Sequence, residues 1–294
     1  YYPWTRQLLH CVSDEHLFKL RTNRNREIIT TDEQEKLANS SIGVAGMSVG
    51  AGIATSIVYS GMSRKIKISD FDTLDTSNLN RLRESLLNVG KQKTMLAAQH
   101  IYELDPFAQV DIFDKGLNNE NLDDFFNDLD IVVDEIDDFK MKVKLRQYAK
   151  KFSIPLLMFT SLGDNILVDV ERFDLDADLE IFNGLLAGVS EDILNNENID
   201  QESIKRYSVQ LVGRQYIPTR ALESVAKLGT ELVGRPQLYS TIAVDGGLAA
   251  YLIRNIILKS KINSGRYFIK FSEFFDMEKN STLIDTSFEV QEEK

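Results

Sequence analysis

The sequence predicts an α/β protein: a doubly wound, mostly parallel sheet with an added antiparallel portion and a C-terminal return to the same domain. Three observations predict this. Short strand-like runs alternate with helical spacings from about residue 41 to residue 160. Two of those runs, IVVD at 131–134 and PLLMFT at 155–160, are almost continuously apolar, as strands covered on both faces are. The first run, IGVA at 42–45, opens directly into a glycine-bearing turn and a small-residue helix.

The elements follow in order. Residues 1–36 form a polar, arginine-studded arm, with RTNRNREIITTDEQEKLANS running from it into the first strand. A core over 37–172 begins with IGVA and continues with VGAGIATSIVYSG, a helix stopped by Gly61. KIKIS at 65–69 is the second strand, KQKTMLAAQHIYEL at 91–104 a helix ending before Pro106, and AQVDIF at 108–113 a third strand. NLDDFFNDL is a short acidic helix, IVVD a strand, MKVKLRQYAKKF at 141–152 a helix, and PLLMFT the next strand. Such alternation implies right-handed crossovers. ILVDVERFD then reads as an antiparallel-type strand. Residues 173–240 are acidic, asparagine-rich and weakly periodic, and are expected to form an excursion or lid over the ligand edge of the sheet. From 241 to 294 the chain rejoins the domain through the helix AVDGGLAAYLIRNIILKS at 243–260 and the edge strand RYFIKF at 266–271, then ends in a charged tail.

Bulk composition narrows the function. With 294 residues, 43% of them hydrophobic, the chain can bury a sizeable core. Its net charge of −11 repels phosphate backbones and anionic lipid, so nucleic acid is an unlikely partner. The single cysteine, Cys11, excludes a disulfide framework or a four-thiolate zinc site within one chain, and fits a reducing cytoplasm. No apolar run approaches the roughly 20 residues that a membrane span needs. Because it opens on Tyr1, the chain is expected to be a processed or trimmed piece of something longer.

Two features carry chemistry. In GVAGMSVGAG the strand enters the helix through Gly46, Ser48 and Gly50, a variant of the Rossmann-like G-x-G-x-x-G turn whose backbone N–H groups face an anion. Ser48 stands where a glycine is usual, which is tolerable if its hydroxyl caps the helix or reaches a phosphate. Asp70, 20 residues after Gly50 and at the end of the second strand, is placed to accept hydrogen bonds from ribose hydroxyls. The second feature is DFDTLDTSNLNR, residues 70–81, which holds more polar groups than closing a strand requires. Asn78 and Arg81 are spaced to fold back toward the strand end, where an arginine fork grips phosphate oxygens. Lys93 at a helix start and Asp137 after IVVD fall at the same carboxyl edge, suggesting charge neutralisation of a triphosphate and a magnesium ligand. The plainer readings are a solvated first-turn Lys93, an Asp137 that caps the next helix, and Asp72 and Asp75 as turn acids.

VAGMSVGAG, DFDTLDTSNLNR, VGKQK and VVDEIDD together resemble the ThiF/MoeB/HesA family, bacterial relatives of ubiquitin-activating enzymes, from about Arg21 to Arg266. The resemblance implies ATP-dependent adenylylation of a carboxylate, such as the C-terminus of a ubiquitin-like protein or peptide, giving an acyl-adenylate and pyrophosphate. It implies that Gly46, Ser48, Gly50, Asp70, Asp72, Asn78, Arg81 and Lys93 contact ATP, and that Asp137 assists Mg2+. It also implies a homodimer: RTNRN is similar to the family's R-Y-x-R-Q, whose second arginine reaches the partner's ATP, so Arg24 joins Arg81, Lys93 and Asp137 as a catalytic group. Two departures stand out, since the family's paired C-x-x-C zinc motifs are absent and residues 161–294 hold no thioester cysteine. Cys11 is expected to be a buried or half-buried apolar residue. His10, His16 and His100 have no metal or triad spacing, and His100 is expected to be a satisfied surface or core-edge residue. Alternatives are an inactive nucleotide-binding scaffold attached to a lost nitroreductase-like domain, an NAD- or FAD-dependent oxidoreductase, and a tRNA-modifying dehydratase of the same family. The oxidoreductase reading leaves Asn78–Arg81 without a purpose.

Overall fold

The structure, a computed structural model, describes residues 1–196 and 199–275. Its centre is a seven-stranded sheet formed by β1 (Ser41–Ala45), β2 (Lys65–Ser69), β3 (Gln109–Phe113), β4 (Ile131–Asp134), β5 (Leu156–Leu162), β6 (Asn165–Glu171) and β7 (Gly265–Lys270). The spatial order is β3-β2-β1-β4-β5-β6-β7. β1 to β5 pair in parallel, while β6 and β7 add on antiparallel. The expected mixed, mostly parallel sheet is therefore the one observed, with RYFIKF as its edge strand.

Each strand alternates between two cores, which is why the central runs are apolar without a break. On β4, Ile131 and Val133 enter one hydrophobic cluster and Val132 the other. The first cluster packs under α3 (Gly50–Tyr59), α4 (Lys93–Leu104) and α10 (Tyr239–Ile257) through Ile53, Ile57, Ile101 and Ile253. The second lies under α5 (Leu122–Phe126) and α6 (Phe139–Lys151) through Phe125, Phe126, Val143 and Leu145. α10 lies close against α3: a Cβ on Gly246 would stand 3.1 Å from the Gly52 carbonyl oxygen, so the small residues of AVDGGLAA are what this approach requires.

Boundaries shift for local reasons. α3 ends at Tyr59, and Gly61 at φ +66° turns the chain toward β2. α6 begins two residues before the expected start because the Asp138 carboxylate accepts the Met141 N–H as an N-cap. The arm carries α1 (Asp14–Arg21) and α2 (Thr31–Ala38), the latter opened by a Thr30–Glu33 capping box. Cys11 is exposed, contrary to its expected burial: it lies in the arm before α1, outside either core.

The weakly periodic stretch after β6 contains α7 (Ser190–Asn195), α8 (Gln201–Val212) and α9 (Thr219–Ser224). Phe182, Leu186, Ile193, Tyr207 and Leu211 bury their side chains in the second cluster. Its last residues return to the sheet's carboxyl edge, where Arg235 pairs with Asp137 at 2.6 Å and the Gln237 carbonyl accepts from Asn80 at 2.9 Å. A short helix, α11 (Phe271–Phe274), follows β7, and the charged tail expected beyond it falls outside the described residues from 276 onward.

A fully buried guanidinium ties these parts together. Arg146 on α6 pairs with Asp134 at 2.6 Å and with Glu171 at 2.8 Å, and its guanidinium carbon lies 3.8 Å from the centre of the Phe182 ring. Glu171 in turn accepts the Phe182 N–H at 2.5 Å. Phe182 and Asn183 hold left-handed backbone at φ 55° and 51°, a conformation that needs such outside support. Burial would raise Asp134, but Lys142 and Arg146 overcome it and hold its carboxyl below the usual range. Burial lifts Glu171 to about 7 despite Arg146. Arg146→Ala strands two buried carboxylates and is expected to lower stability by about 3–5 kcal/mol in urea unfolding followed by circular dichroism.

Candidate functional site

The register of β1 on β4 pairs Ala45 with Asp134, so the residues that follow each strand meet at the carboxyl edge. This edge is the switch point of the sheet, since the chain leaves β1 toward β2 and returns across it to β4. Gly46 has φ +95°, and a Cβ there would collide with the Glu135 carbonyl. Only glycine suits both conditions. Ser48 is the one residue between Ala45 and Gly50 that is not buried. α3 has no side-chain cap, so the Ser48 hydroxyl does not fill that role.

Asp70 bridges the two motifs. Its carboxylate accepts the Met47 N–H at 2.6 Å and the Asp72 N–H at 2.8 Å, which folds the 70–72 turn against the glycine turn. Asp72 is exposed and pairs with Lys93 at 2.8 Å, while its carbonyl accepts the Lys93 N–H. Lys93 is buried in the first turn of α4, so it is not a solvated surface lysine. Asn78 is also buried, and its side-chain oxygen accepts the Asp75 N–H in a local capping turn. Asp75 caps the same turn through the Ser77 N–H, the plainer role foreseen for it.

Arg81 is half-buried, with one nitrogen bonded to the Ser77 carbonyl and the Asn80 side chain. Its buried Nε has no partner among the described residues. Burial lowers the Arg81 pKa, against the attraction of Asp137 and Asp75. Arg81 and Lys93 line one cavity of about 260 Å³ together with Met47 of the glycine turn. The far end of that cavity holds His100, half-buried as expected and 3.5 Å from Glu84. Asp137 is exposed beside Arg235, and the cap of α6 is Asp138 instead. No group of three or more His, Cys, Asp or Glu among the described residues is arranged to hold a metal.

Arg24 lies elsewhere. It is exposed in a short 3-10 turn at Asn23–Asn25. Its neighbours dock on the C-terminal end of α3: Arg21 donates to the Val58 carbonyl and Asn25 to the Ser60 carbonyl. The glycine turn is at the other end of that helix, about 15 Å away along its axis.

Sequence reasoning missed two acids. Glu135, partly exposed, accepts the Phe159 N–H at 3.0 Å. Asp245 on α10 is fully buried and accepts the Ser161 hydroxyl at 2.6 Å, and its other oxygen has no partner. Burial and the neighbouring Asp245 push Glu135 well above the usual carboxylate range, and burial lifts Asp245 to about 6. The available signal was a lone acid inside the apolar helix AVDGGLAAYLI.

A parallel sheet with a glycine turn at its switch point and cations around one cavity defines a nucleotide-binding type of α/β protein. The chain belongs to the ThiF family, which it matches over residues 21–275. It is 35% identical over 276 residues to the protein MT1398 of Mycobacterium tuberculosis (strain CDC 1551 / Oshkosh), covering 94% of this chain and 38% of that one. The chain thus spans well under half the length of that relative. It is 27% identical over 126 residues to the sulfur carrier protein adenylyltransferase of Thermus thermophilus, covering 42% of this chain and 46% of that one. The Escherichia coli tRNA N6-threonylcarbamoyladenosine dehydratase TcdA, solved in complex with ATP, shares the fold at a TM-score of 0.57 and 20% identity, over 85% of this chain and 98% of that one. No described helix is long and apolar enough to cross a membrane.

The raised Asp245 sets a pH dependence. An acid whose folded pKa, about 6, exceeds its unfolded value near 3.9 favours folding when protonated, so stability falls as pH rises from about 4 to 6 and then levels. Asp245→Asn relieves this burden and the repulsion on Glu135. Its melting temperature is expected to exceed wild type by several degrees at pH 7.5, with the gain shrinking toward pH 4.5 in parallel thermal scans.

Proposed function

We propose that the chain is an ATP-dependent adenylyltransferase that activates a carboxylate. The observation that carries this reading is that Arg81 and Lys93 line one cavity with Met47 of the glycine turn, a cavity that continues between α3, α4 and α10 as far as Tyr59 and Leu104. A carboxylate oxygen attacks the α-phosphorus of ATP, the bond to the bridging oxygen of pyrophosphate breaks, and acyl-adenylate and pyrophosphate result. Positive groups placed beforehand favour the charge that builds on the phosphoryl oxygens. In this reading the N–H groups of the Gly46–Gly50 turn and the Arg81 and Lys93 cations hold the phosphates. Ser48 faces them from the turn, and Asn78 keeps the Arg81 loop in place. Asp70 accepts the ribose hydroxyls, and Lys93 exchanges its Asp72 partner for phosphate. Mg2+ suits a site where one exposed carboxylate, Asp137, adds to oxygens supplied by the phosphates, and it would neutralise phosphate charge there.

The position of Arg24 at the far end of α3 supports a homodimer in which it serves the partner's site. Cys11, the chain's one cysteine, lies in the exposed arm, so the adenylate passes to its acceptor without a protein thioester. A C-terminal carboxylate of a peptide or ubiquitin-like protein is the favoured substrate class, in keeping with the sulfur carrier relative. A second reading, a nucleotide-binding scaffold without turnover, draws on the Asp72–Lys93 pair, which already satisfies the lysine.

ATP–pyrophosphate exchange, measured with a heat-treated, nucleotide-depleted cell extract that retains peptides and small heat-stable proteins as carboxylate source, separates the two. Arg81→Ala or Lys93→Ala is expected to reduce exchange at least about 100-fold with an unchanged circular dichroism spectrum. Full exchange in both variants would sink the assigned site, and ATP binding without exchange in the wild type would favour the scaffold. Mixing Arg24→Ala with Arg81→Ala chains is expected to restore part of the exchange, because each mixed dimer holds one intact composite site. No recovery on mixing would remove the role of Arg24 across the dimer.

A further inference from the structure

The cavity beside the glycine turn holds a third cation that the activation chemistry above leaves unused. Arg83 lines it together with Arg81 and Lys93, and so does Tyr239, the first residue of α10. Arg83 Nε donates to the Tyr239 hydroxyl at 2.6 Å, and the guanidinium carbon stands 5.7 Å from the centre of that ring. Glu84, the next residue, is not the counter-ion of Arg83: its carboxylate faces the Asn88 amide at 2.8 Å and His100 at 3.5 Å. Elsewhere Arg21, Arg64, Arg146, Arg172 and Arg266 each pair with a carboxylate. Arg81 and Arg83 have neutral partners instead among the described residues. In a chain where acids outnumber bases 45 to 34, two such arginines beside a lysine in one cavity mark a place for a polyanion.

Tyr239 is brought to Arg83 by a segment that crosses the site. Arg235 pairs with Asp137 after β4, the Gln237 carbonyl accepts from Asn80 after β2, and the Tyr239 hydroxyl accepts from Arg83 on that same loop. In the sheet β1 lies between β4 and β2, so residues 235–239 bridge the strand whose end carries the glycine turn. Four steps of extended chain reach about 13 Å and two strand spacings take about 9.6 Å, so five residues suffice for the bridge. α10 fixes its far end, since Thr241 donates to the Gly163 carbonyl, just past β5, at 2.6 Å. Tyr239 therefore stands at the carboxyl edge of the sheet, where the glycine turn also lies.

We propose that Arg83 is a further phosphate-binding residue, that Tyr239 positions it, and that the pair selects a nucleoside triphosphate by holding its terminal phosphate. This rests on the ATP site described above, in which the α-phosphate lies at the glycine turn. The β- and γ-phosphates then enter the cavity past Arg81 and Lys93, and Arg83, further along the same loop, receives the last of them. With Nε tied to Tyr239, the two terminal nitrogens of Arg83 remain as a fork for phosphate oxygens. The Tyr239 contact orders that side chain before any ligand arrives, which lowers the entropy cost of binding. A diphosphate ends before Arg83 and forgoes the contact.

Isothermal calorimetry of ATP and ADP on the whole chain tests this without any acyl substrate, so the result is separable from a failure of adenylylation. Wild type is expected to bind ATP at least about tenfold more tightly than ADP, the worth of one charge-assisted contact. Arg83→Ala is expected to bring the two affinities within about twofold by weakening ATP alone, and Arg83→Lys to keep part of the preference. Tyr239→Phe, which removes only the hydroxyl acceptor, is expected to reduce the preference several-fold. Melting curves report whether each variant is folded, and Tyr239→Phe decides the matter if Arg83→Ala is not. A preference that survives both substitutions, an equal loss of ATP and ADP binding, or equal affinities in wild type would overturn the proposal and leave the ATP site standing. A preference lost in Arg83→Ala while wild type shows no pyrophosphate exchange would support Arg83 and sink adenylylation. Binding of neither nucleotide by wild type would overturn both.

Discussion

The pairing of Ala45 with Asp134 is the contact on which the rest of the site depends. It brings the turn after β1 and the turn after β4 to the same height on the sheet, so closely that Gly46 admits no side chain toward the Glu135 carbonyl. A slip of one residue would turn Ile131, Val132 and Val133 to the opposite cores and separate the two turns. Both cores therefore enforce the register, and the register places the site.

Charge buried away from the site holds that arrangement from behind. Arg146 reaches Asp134 at the end of β4 and Glu171 at the end of β6. Each carboxylate also braces backbone: Asp134 accepts the Ile136 N–H in the turn that carries Asp137, and Glu171 accepts the Phe182 N–H at the base of the excursion. One guanidinium thus couples the loop beneath the proposed magnesium ligand to the segment whose far end meets Asp137 through Arg235. Asp245 on α10 has no such partner: Arg146 offers two buried carboxylates a counter-charge, whereas buried Asp245 receives only the Ser161 hydroxyl.

How far the sequence could be read followed the range of the interaction. The seven strands and the helices between them were legible because their periods of two and 3.6 residues are local properties of the chain. The excursion was not, because α7 and α9 have six residues each, and Phe182, Ile193 and Tyr207 find their place by packing in the second cluster with Phe139 and Val143 of α6, which are distant in sequence. Cys11 was misplaced because composition does not say that the arm lies outside the cores. Lys93 and Asp72 were singled out separately, and their mutual ion pair became visible only when the loop was seen folded over the start of α4. The polar surplus of DFDTLDTSNLNR proved partly architectural: Asp70 and Asn78 hold backbone N–H groups, while Arg81 keeps a buried Nε without a partner.

By itself the sequence determined the mixed, mostly parallel sheet, the glycine turn and the family, because each is written in neighbouring residues whose spacing sets backbone geometry. Tertiary structure alone decided that Arg81, Lys93 and Met47 face one cavity, that Arg24 sits at the wrong end of α3 for its own chain's turn, and that Glu135 and Asp245 both anchor on β5, at Phe159 and Ser161. Those facts depend on helix docking and strand register over separations of up to about a hundred residues. No local pattern encodes where two distant side chains come to rest; packing does.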